Sequence, residues 1–297
     1  MKPKKILMCY GKTSFTPGRY LEDAFQNIGV KVDVYPSFID FSTVTMEDYI
    51  AVLFVESPAL PPVKVKHIEF VSIPKLFLIH HGENRLATNK VLAQQYQPDL
   101  ILMAHSLHLA KHFPIPVKFF PFAMAKNVFN DDTLLQNRPV DITSVGTLDH
   151  SLYQKRVQAI EKITKKFHSD YQLSFHKRVF LHDLASAYGQ SKIVFNHAAD
   201  TIKSLNFRIF EGIGCGALVL SDKVPKLDTL LEDGRHLVLF DSHQDLLEKI
   251  EYYLTHVDEA QVIASAGYQH LLKYHTYEHR AEMLLEWIKK GLQPKRK

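Results

Sequence analysis

Short apolar runs without in/out alternation recur along this chain, and they constrain its fold more than any other feature. Two examples are LFLI within Lys75–His80 and LILM within Leu100–Ala104. Such runs are typical of strands that are buried on both faces, as in parallel sheets covered by helices. A helical pattern over Gly18–Ile28, which ends at Gly29, lies between the first two strand candidates. The sequence therefore predicts an α/β fold built on parallel sheets.

The strand candidates form two arrays, separated by a polar segment over residues 129–139 that we interpret as a linker. The first array comprises Lys5–Tyr10, Val30–Tyr35, Tyr49–Val55, Lys75–His80, Leu100–Ala104 and Val117–Pro121. The second comprises Val140–Val145, Tyr171–His176, Lys192–Asn196, Ala217–Leu220 and His236–Phe240, with helices at Leu152–Phe167 and Asp183–Ser191. Two such arrays predict two doubly wound, Rossmann-like domains that face each other across a cleft, residues 1–138 and 139–275. Ligands of such sheets bind outside the carboxyl ends of the strands.

The composition excludes several classes of protein. With 46% hydrophobic and 23% charged residues, the chain can bury cores and is not a disordered tail. The net charge of +4 is mild and partly lies at the two ends, so it gives little support to nucleic-acid binding. Two cysteines form no disulfide framework or zinc site, and no run approaches the ~20 apolar residues of a membrane span. We expect a cytoplasmic protein without a transmembrane segment.

The segment Asn196–Asp222 carries the clearest candidate for a site, because it runs from a strand through a polar loop into a short helix. The loop brings polar side chains to the start of the helix: Lys203, Ser204 and Asn206. Arg208 lies in the first helical turn and Glu211 one turn later. A helix N-terminus with nearby cations attracts a diphosphate, and a carboxylate one turn on can hold ribose hydroxyls. A surface cation and a solvated glutamate are the alternative interpretations of Arg208 and Glu211.

Three glycines close this helix and do not form a dinucleotide fingerprint. Such a fingerprint follows a strand and opens a helix, whereas Gly212, Gly214 and Gly216 end a helix and precede a strand. We expect Gly216 to terminate the helix and the other two to let it approach the sheet.

Other candidates follow the remaining strands. Gly146 and Gly11 end the first strand of each array, where a glycine permits either a close approach to a ligand or a simple turn. His80, His81 and Glu83 follow the apolar run Lys75–Ile79, and a histidine there can act as a base or bind a sugar or phosphate. His176 and Lys177 follow a strand of the second array and are candidates to line a nucleotide pocket. The sequence has no Asp-x-Asp pair and no zinc spacing, so we expect no metal site.

The second half of the chain resembles the C-terminal domain of the CgeB-like branch of GT-B glycosyltransferases, close to glycosyltransferase family 4 (glycosyl transferases group 1). The resemblance rests on DITSVGTL, SKIVFNHA, LNFRIFEGIGCGALVLSD, LLEDGRHLVLFDSHQDLLEKIEYYL and IASAGYQHLLKYHTYEHRAEMLLEWI. In the first half the match is fainter and includes IPKLFLIHHG. The resemblance implies a GT-B fold with an acceptor domain followed by a donor domain, and a last helix, within residues 276–297, that crosses back to the first domain.

The resemblance also implies roles for the candidate residues. Glu211 matches the glutamate that binds the nucleotide ribose, and Ser204, Asn206 and Arg208 match the loop and helix start near the diphosphate. Gly146 matches the glycine on the donor side of the cleft, and His80 or His81 matches a cleft histidine. Gly11 and Glu83 are expected on the acceptor side. Three positions depart from the family pattern: Lys203 replaces a sugar-contacting glutamate, Thr147 replaces an arginine, and Lys155–Arg156 lie near the place of a missing Lys-Gly.

The implied activity is transfer of a sugar from a UDP- or GDP-sugar to an unknown acceptor, independent of metal ions and cofactors and with retention of configuration. Three alternatives remain open at this point: a nucleotide-sugar 2-epimerase, a non-catalytic protein with a degenerate GT-B fold, and an enzyme that modifies DNA or protein. The sequence alone specifies neither the sugar and the acceptor nor the oligomeric state.

Overall fold

A computed structural model of the chain describes residues 5–13, 15–57, 60–148 and 150–291. The chain divides into two compact units. Unit 1 combines Met1–Pro121 with Tyr277–Lys297, and unit 2 is Phe122–Thr276. The basic ends of the chain, residues 1–4 and 292–297, lie outside the described residues.

Unit 1 is built on a six-stranded parallel sheet with the order β2-β1-β4-β6-β7-β8. Its strands and the small β3-β5 pair are β1 (Lys5–Cys9), β2 (Val32–Tyr35), β3 (Phe38–Asp40), β4 (Tyr49–Val55), β5 (Lys64–Lys66), β6 (Lys75–Ile79), β7 (Leu100–Met103) and β8 (Val117–Phe119). Its helices are α1 (Pro17–Asn27), α2 (Leu86–Tyr96) and the C-terminal α8 (Tyr277–Lys289). The central strands are buried along most of their length, as the uninterrupted apolar runs predict.

The last helix packs on unit 1, where the rings of Tyr20 and Tyr277 lie 5.1 Å apart. The Nε atom of Arg280, which is almost fully buried, donates a hydrogen bond of 2.8 Å to the carbonyl oxygen of Pro121. Helix α8, at the C-terminal end of the sequence, thus packs in the same unit as the N-terminal strands.

The strands β3 and β5 and the helix α2 of unit 1 were not predicted from the sequence. The β3-β5 pair consists of three-residue strands, too short to show a period. Helix α2 buries Asn89, Leu92, Ala93 and Tyr96, so a polar residue occupies a place on its inward face. Asn89 can be buried because its amide donates to the carbonyl oxygen of His81 at 2.8 Å. This polar residue on the buried face interrupts the apolar pattern by which the helix could have been predicted.

Unit 2 is built on a five-stranded parallel sheet with the order β10-β9-β11-β12-β13. Its strands are β9 (Val140–Val145), β10 (Leu173–His176), β11 (Ser191–Asn196), β12 (Leu218–Asp222) and β13 (Val238–Phe240). Its helices are α3 (His150–Phe167), α4 (Leu181–Gly189), α5 (Phe207–Gly214), α6 (His243–Thr255) and α7 (Val257–Tyr274). The chain order reverses at β9, so the crevice at the carboxyl ends of β9 and β11 is a topological switch point, where ligands of such sheets bind.

Residues 122–138 pack with unit 2, whereas the sequence interpretation placed them in the first domain and took residues 129–139 as a linker. Phe129 and Leu135 are fully buried there. The backbone N–H of Asp131 donates to the carbonyl oxygen of Gly214 at 3.2 Å. The many polar residues of this segment obscured the two apolar side chains that bury it against unit 2. The division between the units therefore falls at Phe122.

Helix α5 lies close to the sheet, and its glycines make this possible. A Cβ atom on Gly212 would lie 2.8 Å from a methyl group of Val219. Gly216 has a φ of +67° just after the helix C-cap at Cys215, as expected for a glycine that ends a helix. The interpretation is confirmed for Gly212 as a residue that lets the helix approach the sheet and for Gly216 as a capping residue. A Cβ atom on Gly214 would instead lie 3.0 Å from the side chain of Met124 and 3.2 Å from the carbonyl oxygen of Phe129, so Gly214 admits the segment 122–138 and not the sheet.

Each unit contains one cysteine, Cys9 in β1 and Cys215 at the end of α5, and both are buried. Burial raises the pKa of both thiols above the usual range. Over the described ranges, no helix has the length and apolar character needed to cross a membrane.

We predict that Gly216→Ala destabilises unit 2 by about 2–4 kcal/mol, because a Cβ atom would both strain the backbone and overpack the site. That atom would lie 2.4 Å from the carbonyl oxygen of Asp131. Gly234→Ala is the matched control, since Gly234 has a φ of +72° but no atom within 4 Å of a Cβ. It should cost only about 1 kcal/mol. Urea unfolding measures both, and equal losses would contradict the packing argument.

Candidate functional site

The start of helix α5 places a cation beside the end of strand β11. Arg208 lies in the first turn of α5, and its Nε atom donates a hydrogen bond of 2.9 Å to Oδ1 of Asn196, the last residue of β11. Asn206 is the N-cap residue, yet its side chain makes no capping hydrogen bond. Its amide nitrogen and oxygen are both buried and lack a hydrogen-bond partner within the described residues. A buried amide of this kind is satisfied only when a further polar group occupies the site.

A second cation, Arg156, reaches the same place from helix α3. Its Nη1 atom donates to the carbonyl oxygen of Thr147 at 2.9 Å, and its Nε atom donates to that of His197 at 3.1 Å. The ring of Tyr153 stacks on the guanidinium, 4.2 Å from its central carbon. Burial, together with the charge of Arg208, lowers the pKa of Arg156 to about 9, so the group still carries its charge at neutral pH.

The two guanidinium groups converge at Gly146. A Cβ atom there would lie 2.8 Å from Nη1 of Arg156 and 3.4 Å from Nη1 of Arg208. Neither arginine forms an ion pair with a carboxylate in the part of the chain that the structure describes. Two partly desolvated guanidinium groups that lie next to the same glycine and have no carboxylate partner among the described residues form a favourable binding site for an anion.

Glu211 lies one turn after Arg208 and is 8% exposed. Burial raises the pKa of this carboxyl group to about 7, although the charge of Arg208 opposes the shift. No described residue donates a hydrogen bond to it. Buried glutamates are rare without a partner, so this carboxylate is available to a ligand.

A recess adjoins this cluster at the carboxyl ends of β9 and β10. It has a volume of about 640 Å³ and is lined by Thr147, Leu148, Phe175, His176, Lys177, Arg178 and Val179. The backbone N–H of Gly146 donates to the carbonyl oxygen of His176 at 3.0 Å, which joins the recess to the arginine pair. The structure therefore brings His176 and Lys177 to the same edge as Gly146.

Lys203 lies elsewhere than Arg208 and Glu211. It lines a separate recess of about 300 Å³ together with Lys155, His197 and Asp222. Ser204 is partly exposed in the loop before α5, and no hydrogen bond of its side chain occurs within the described ranges. Asn206, Arg208 and Glu211 are thus the members of the predicted loop and helix start that meet Gly146.

The candidates of unit 1 also divide. His81 is exposed, whereas His80 is buried directly after β6. Glu83 accepts a hydrogen bond of 2.5 Å from the hydroxyl of Ser106. Gly11 is buried, and a Cβ atom there would lie 2.8 Å from the side chain of Leu60, so its close approach is to the protein itself.

Sequence reasoning missed two residues as members of a site. Arg156 was noted only for its position in the chain, and Glu56 was not considered. The ligand atoms of Glu56, His80 and His81 lie within 4.8 Å of one another, and this is the one group of at least three possible metal ligands among the described residues. An acidic residue directly after the buried strand β4 was the available signal for Glu56.

Comparison with known proteins bears on this arrangement. A family model described as glycosyl transferase-like matches residues 137–286, just over half of the chain. The chain belongs to this family. No curated protein matches the sequence significantly.

Solved structures show the same fold as this glycosyl transferase-like chain. Anabaena Alr3699/HepE in complex with UDP and glucose has a TM-score of 0.61 at 12% identity, over 97% of this chain and 100% of that one. Sucrose-phosphate synthase from Thermosynechococcus elongatus has a TM-score of 0.60 at 12% identity, over 97% and 99%. T4 phage BGT in complex with UDP and Mn²⁺ has a TM-score of 0.59 at 13% identity, over 98% and 100%. The predicted α/β fold of the GT-B type is confirmed.

The raised pKa of Glu211 predicts a pH dependence of stability. Between about pH 4.5 and 7 the folded state keeps a proton that the unfolded state releases, so this stabilising contribution is complete below pH 4.5 and is lost as the pH rises to 7. The shift corresponds to about 3 kcal/mol. Glu211→Gln should flatten the pH dependence of the unfolding free energy in this range. Glu161→Gln, on the exposed face of α3, should leave it unchanged; an unaltered slope in Glu211→Gln would contradict the assignment.

Proposed function

We propose that this chain is a glycosyltransferase that takes its sugar from a nucleoside diphosphate sugar, with the donor bound by unit 2. The observation that carries the proposal is the convergence of Arg156 and Arg208 at Gly146 without a carboxylate partner. A diphosphate is the anion that fits two adjacent guanidinium groups at a helix N-terminus. Family membership and the likeness to proteins solved with UDP or UDP-glucose support this choice.

In this proposal Glu211 accepts hydrogen bonds from the ribose hydroxyls. The buried side-chain amide of Asn206 forms its hydrogen bonds with the nucleotide sugar. The recess next to Gly146, with His176 and Lys177, accommodates the base. Accepting hydrogen bonds from both ribose hydroxyls favours the ionised carboxylate, so binding would lower the fraction of Glu211 that is protonated near neutral pH.

The arginine pair also explains how the site promotes sugar transfer. Negative charge grows on the diphosphate as its bond to the sugar breaks, and two fixed cations stabilise that charge. Arg156 is already held by two carbonyl oxygens, so little reorganisation is needed during the reaction. Preorganised electrostatic stabilisation of this kind is usually the largest catalytic contribution.

We propose that the reaction needs no metal ion, because the two guanidinium groups supply the charge that a divalent cation would otherwise supply. The absence of an Asp-x-Asp pair from the sequence supports this view. We further propose that the chain belongs to the CgeB-like branch and that the anomeric configuration is retained, both on the resemblance of LNFRIFEGIGCGALVLSD to that group. The acceptor is a hydroxyl-bearing molecule of unassigned class.

We predict that Arg208→Ala weakens UDP binding by about 1.5–3 kcal/mol, or roughly 10- to 150-fold in Kd, because a charged hydrogen bond to the diphosphate is lost. Glu211→Ala should weaken UDP more than free pyrophosphate, since it removes only the ribose contact. Isothermal titration calorimetry measures both. Arg235→Ala, which removes an exposed arginine of the same unit, is the control and should bind as the unaltered protein does. Unchanged UDP affinity in both site variants would refute the proposed pocket.

We also predict that a chelator leaves the donor site unaffected. The rise in Tm caused by UDP should be the same in EDTA as in Mg²⁺ or Mn²⁺, since a ligand of the native state stabilises it by an amount that depends on its concentration and its affinity. A UDP-dependent rise that disappears in EDTA and returns with Mn²⁺ would show that the metal-free site is wrong.

A further inference from the structure

Glu56 directly follows strand β4 in unit 1 and is 2% exposed. A carboxylate this deeply buried is tolerated only where hydrogen bonds or opposite charges satisfy it. Its own backbone N–H continues the sheet by donating to the carbonyl oxygen of Leu78 in β6 at 2.9 Å. The side chain is therefore fixed at the edge of the sheet, next to the turn that leaves β6.

The partners of this carboxylate are the two residues of that turn and one arginine. Oε2 accepts hydrogen bonds from the backbone N–H groups of His80, at 3.0 Å, and His81, at 2.7 Å. Oε1 lies 2.8 Å from Nε of Arg85, whose positive charge balances it. One carboxylate thus holds two consecutive peptide groups. It thereby fixes the backbone positions from which the side chains of His80 and His81 extend.

Neighbouring side chains also hold the same turn by donating hydrogen bonds to its carbonyl oxygens. The amide of Asn89 donates to the carbonyl oxygen of His81 at 2.8 Å. Nε2 of His105 donates to the carbonyl oxygen of His80 at 2.7 Å. All of these contacts lie within unit 1, so the donors and acceptors of the turn are held by residues that follow β4 and β7 and by one residue of α2.

The two imidazoles differ in accessibility. Their ring centroids lie 4.3 Å apart, but His80 is buried and His81 is exposed, so His81 is the member of the pair that a ligand can reach. An imidazole in this position can accept a hydrogen bond from a hydroxyl group through its unprotonated nitrogen.

A metal ion fits this group less well than a hydrogen-bonded ligand. A metal bound by Glu56, His80 and His81 would share a carboxylate that already accepts two N–H groups and faces Arg85. The positive charge of Arg85 opposes a second cation at the same oxygens. The geometry favours a carboxylate that anchors the turn.

We propose that Glu56 is a positioning residue that holds His81 at the edge of the unit 1 sheet so that its imidazole binds a sugar or acceptor hydroxyl group. The proposal rests on the proposed glycosyltransferase function. Glu56 touches no ligand itself, and its effect passes through the backbone N–H of His81. A displacement of about 1 Å at a reacting group can lower a rate by about 100-fold, which makes the contribution of such a residue measurable.

The experiment uses the full chain and three variants. Glu56→Gln keeps the shape but replaces one accepting oxygen with an NH₂ group. Glu56→Gln/Arg85→Met also removes the cation that the single variant leaves without its carboxylate. Glu69→Gln, an exposed glutamate of the same unit, is the control. Three quantities are measured: UDP affinity by calorimetry, the rate of UDP release from UDP-glucose, and the imidazole ¹H–¹⁵N resonances of His81.

We expect both Glu56 variants to keep UDP affinity within about twofold, to lower kcat at least about tenfold, and to shift the His81 resonances, while Glu69→Gln changes none of these. Normal turnover by the double variant would overturn the proposal, because the loss in Glu56→Gln would then reflect only the stranded Arg85. Unshifted His81 resonances in Glu56→Gln would overturn it as well. Failure of the unaltered protein to bind either UDP or GDP, and to release nucleotide from any of a panel of UDP- and GDP-sugars, would instead refute the proposed function, and the His81 resonances would still decide whether Glu56 sets the turn.

Discussion

Parallel pairing is the constraint from which the rest of this structure follows. Every strand pair in the two large sheets is parallel, so every connection must cross over and every strand ends at the same edge of its sheet. That edge gathers the residues that follow each strand. In unit 1 it brings Glu56 next to His80 and His81, and in unit 2 it brings Gly146 next to Asn196. Residues far apart in sequence become neighbours because of strand direction alone.

The cation pair at Gly146 is stabilised locally in a way that leaves it open to a ligand. Arg156 is held by main-chain carbonyl oxygens and a stacked ring, none of which carries a full negative charge. Its burial beside Arg208 is unfavourable for the charged form, as its lowered pKa indicates. In the proposed donor site a bound anion would offset that repulsion. Burial raises the pKa of Glu211 to about 7, so its carboxyl group is about half protonated at neutral pH.

The parts that were predictable from the sequence are those governed by local spacing. Strand β4 was predicted to the residue because an uninterrupted apolar run marks it. Strand β9 was also predicted to the residue, although its sequence VDITSV includes three polar residues. Arg208 and Glu211 lie on one helix, so their spacing alone placed them together. Arg156 could not be assigned in this way, because its approach to Gly146 depends on how α3 crosses the sheet. Helix α2 was missed because Asn89 serves the turn at His81 rather than an apolar face.

The two buried cysteines have a practical consequence for anyone who studies this protein. Cys9 lies in the first sheet and Cys215 at the end of α5, so each unit contains a single thiol. Burial keeps both thiols protonated and shielded from reagents while the surrounding unit is closed. The rate at which a thiol reagent modifies each one is therefore limited by opening of the unit around it. The modification rates of Cys9 and Cys215 therefore report the opening of unit 1 and of unit 2 separately, without an introduced label.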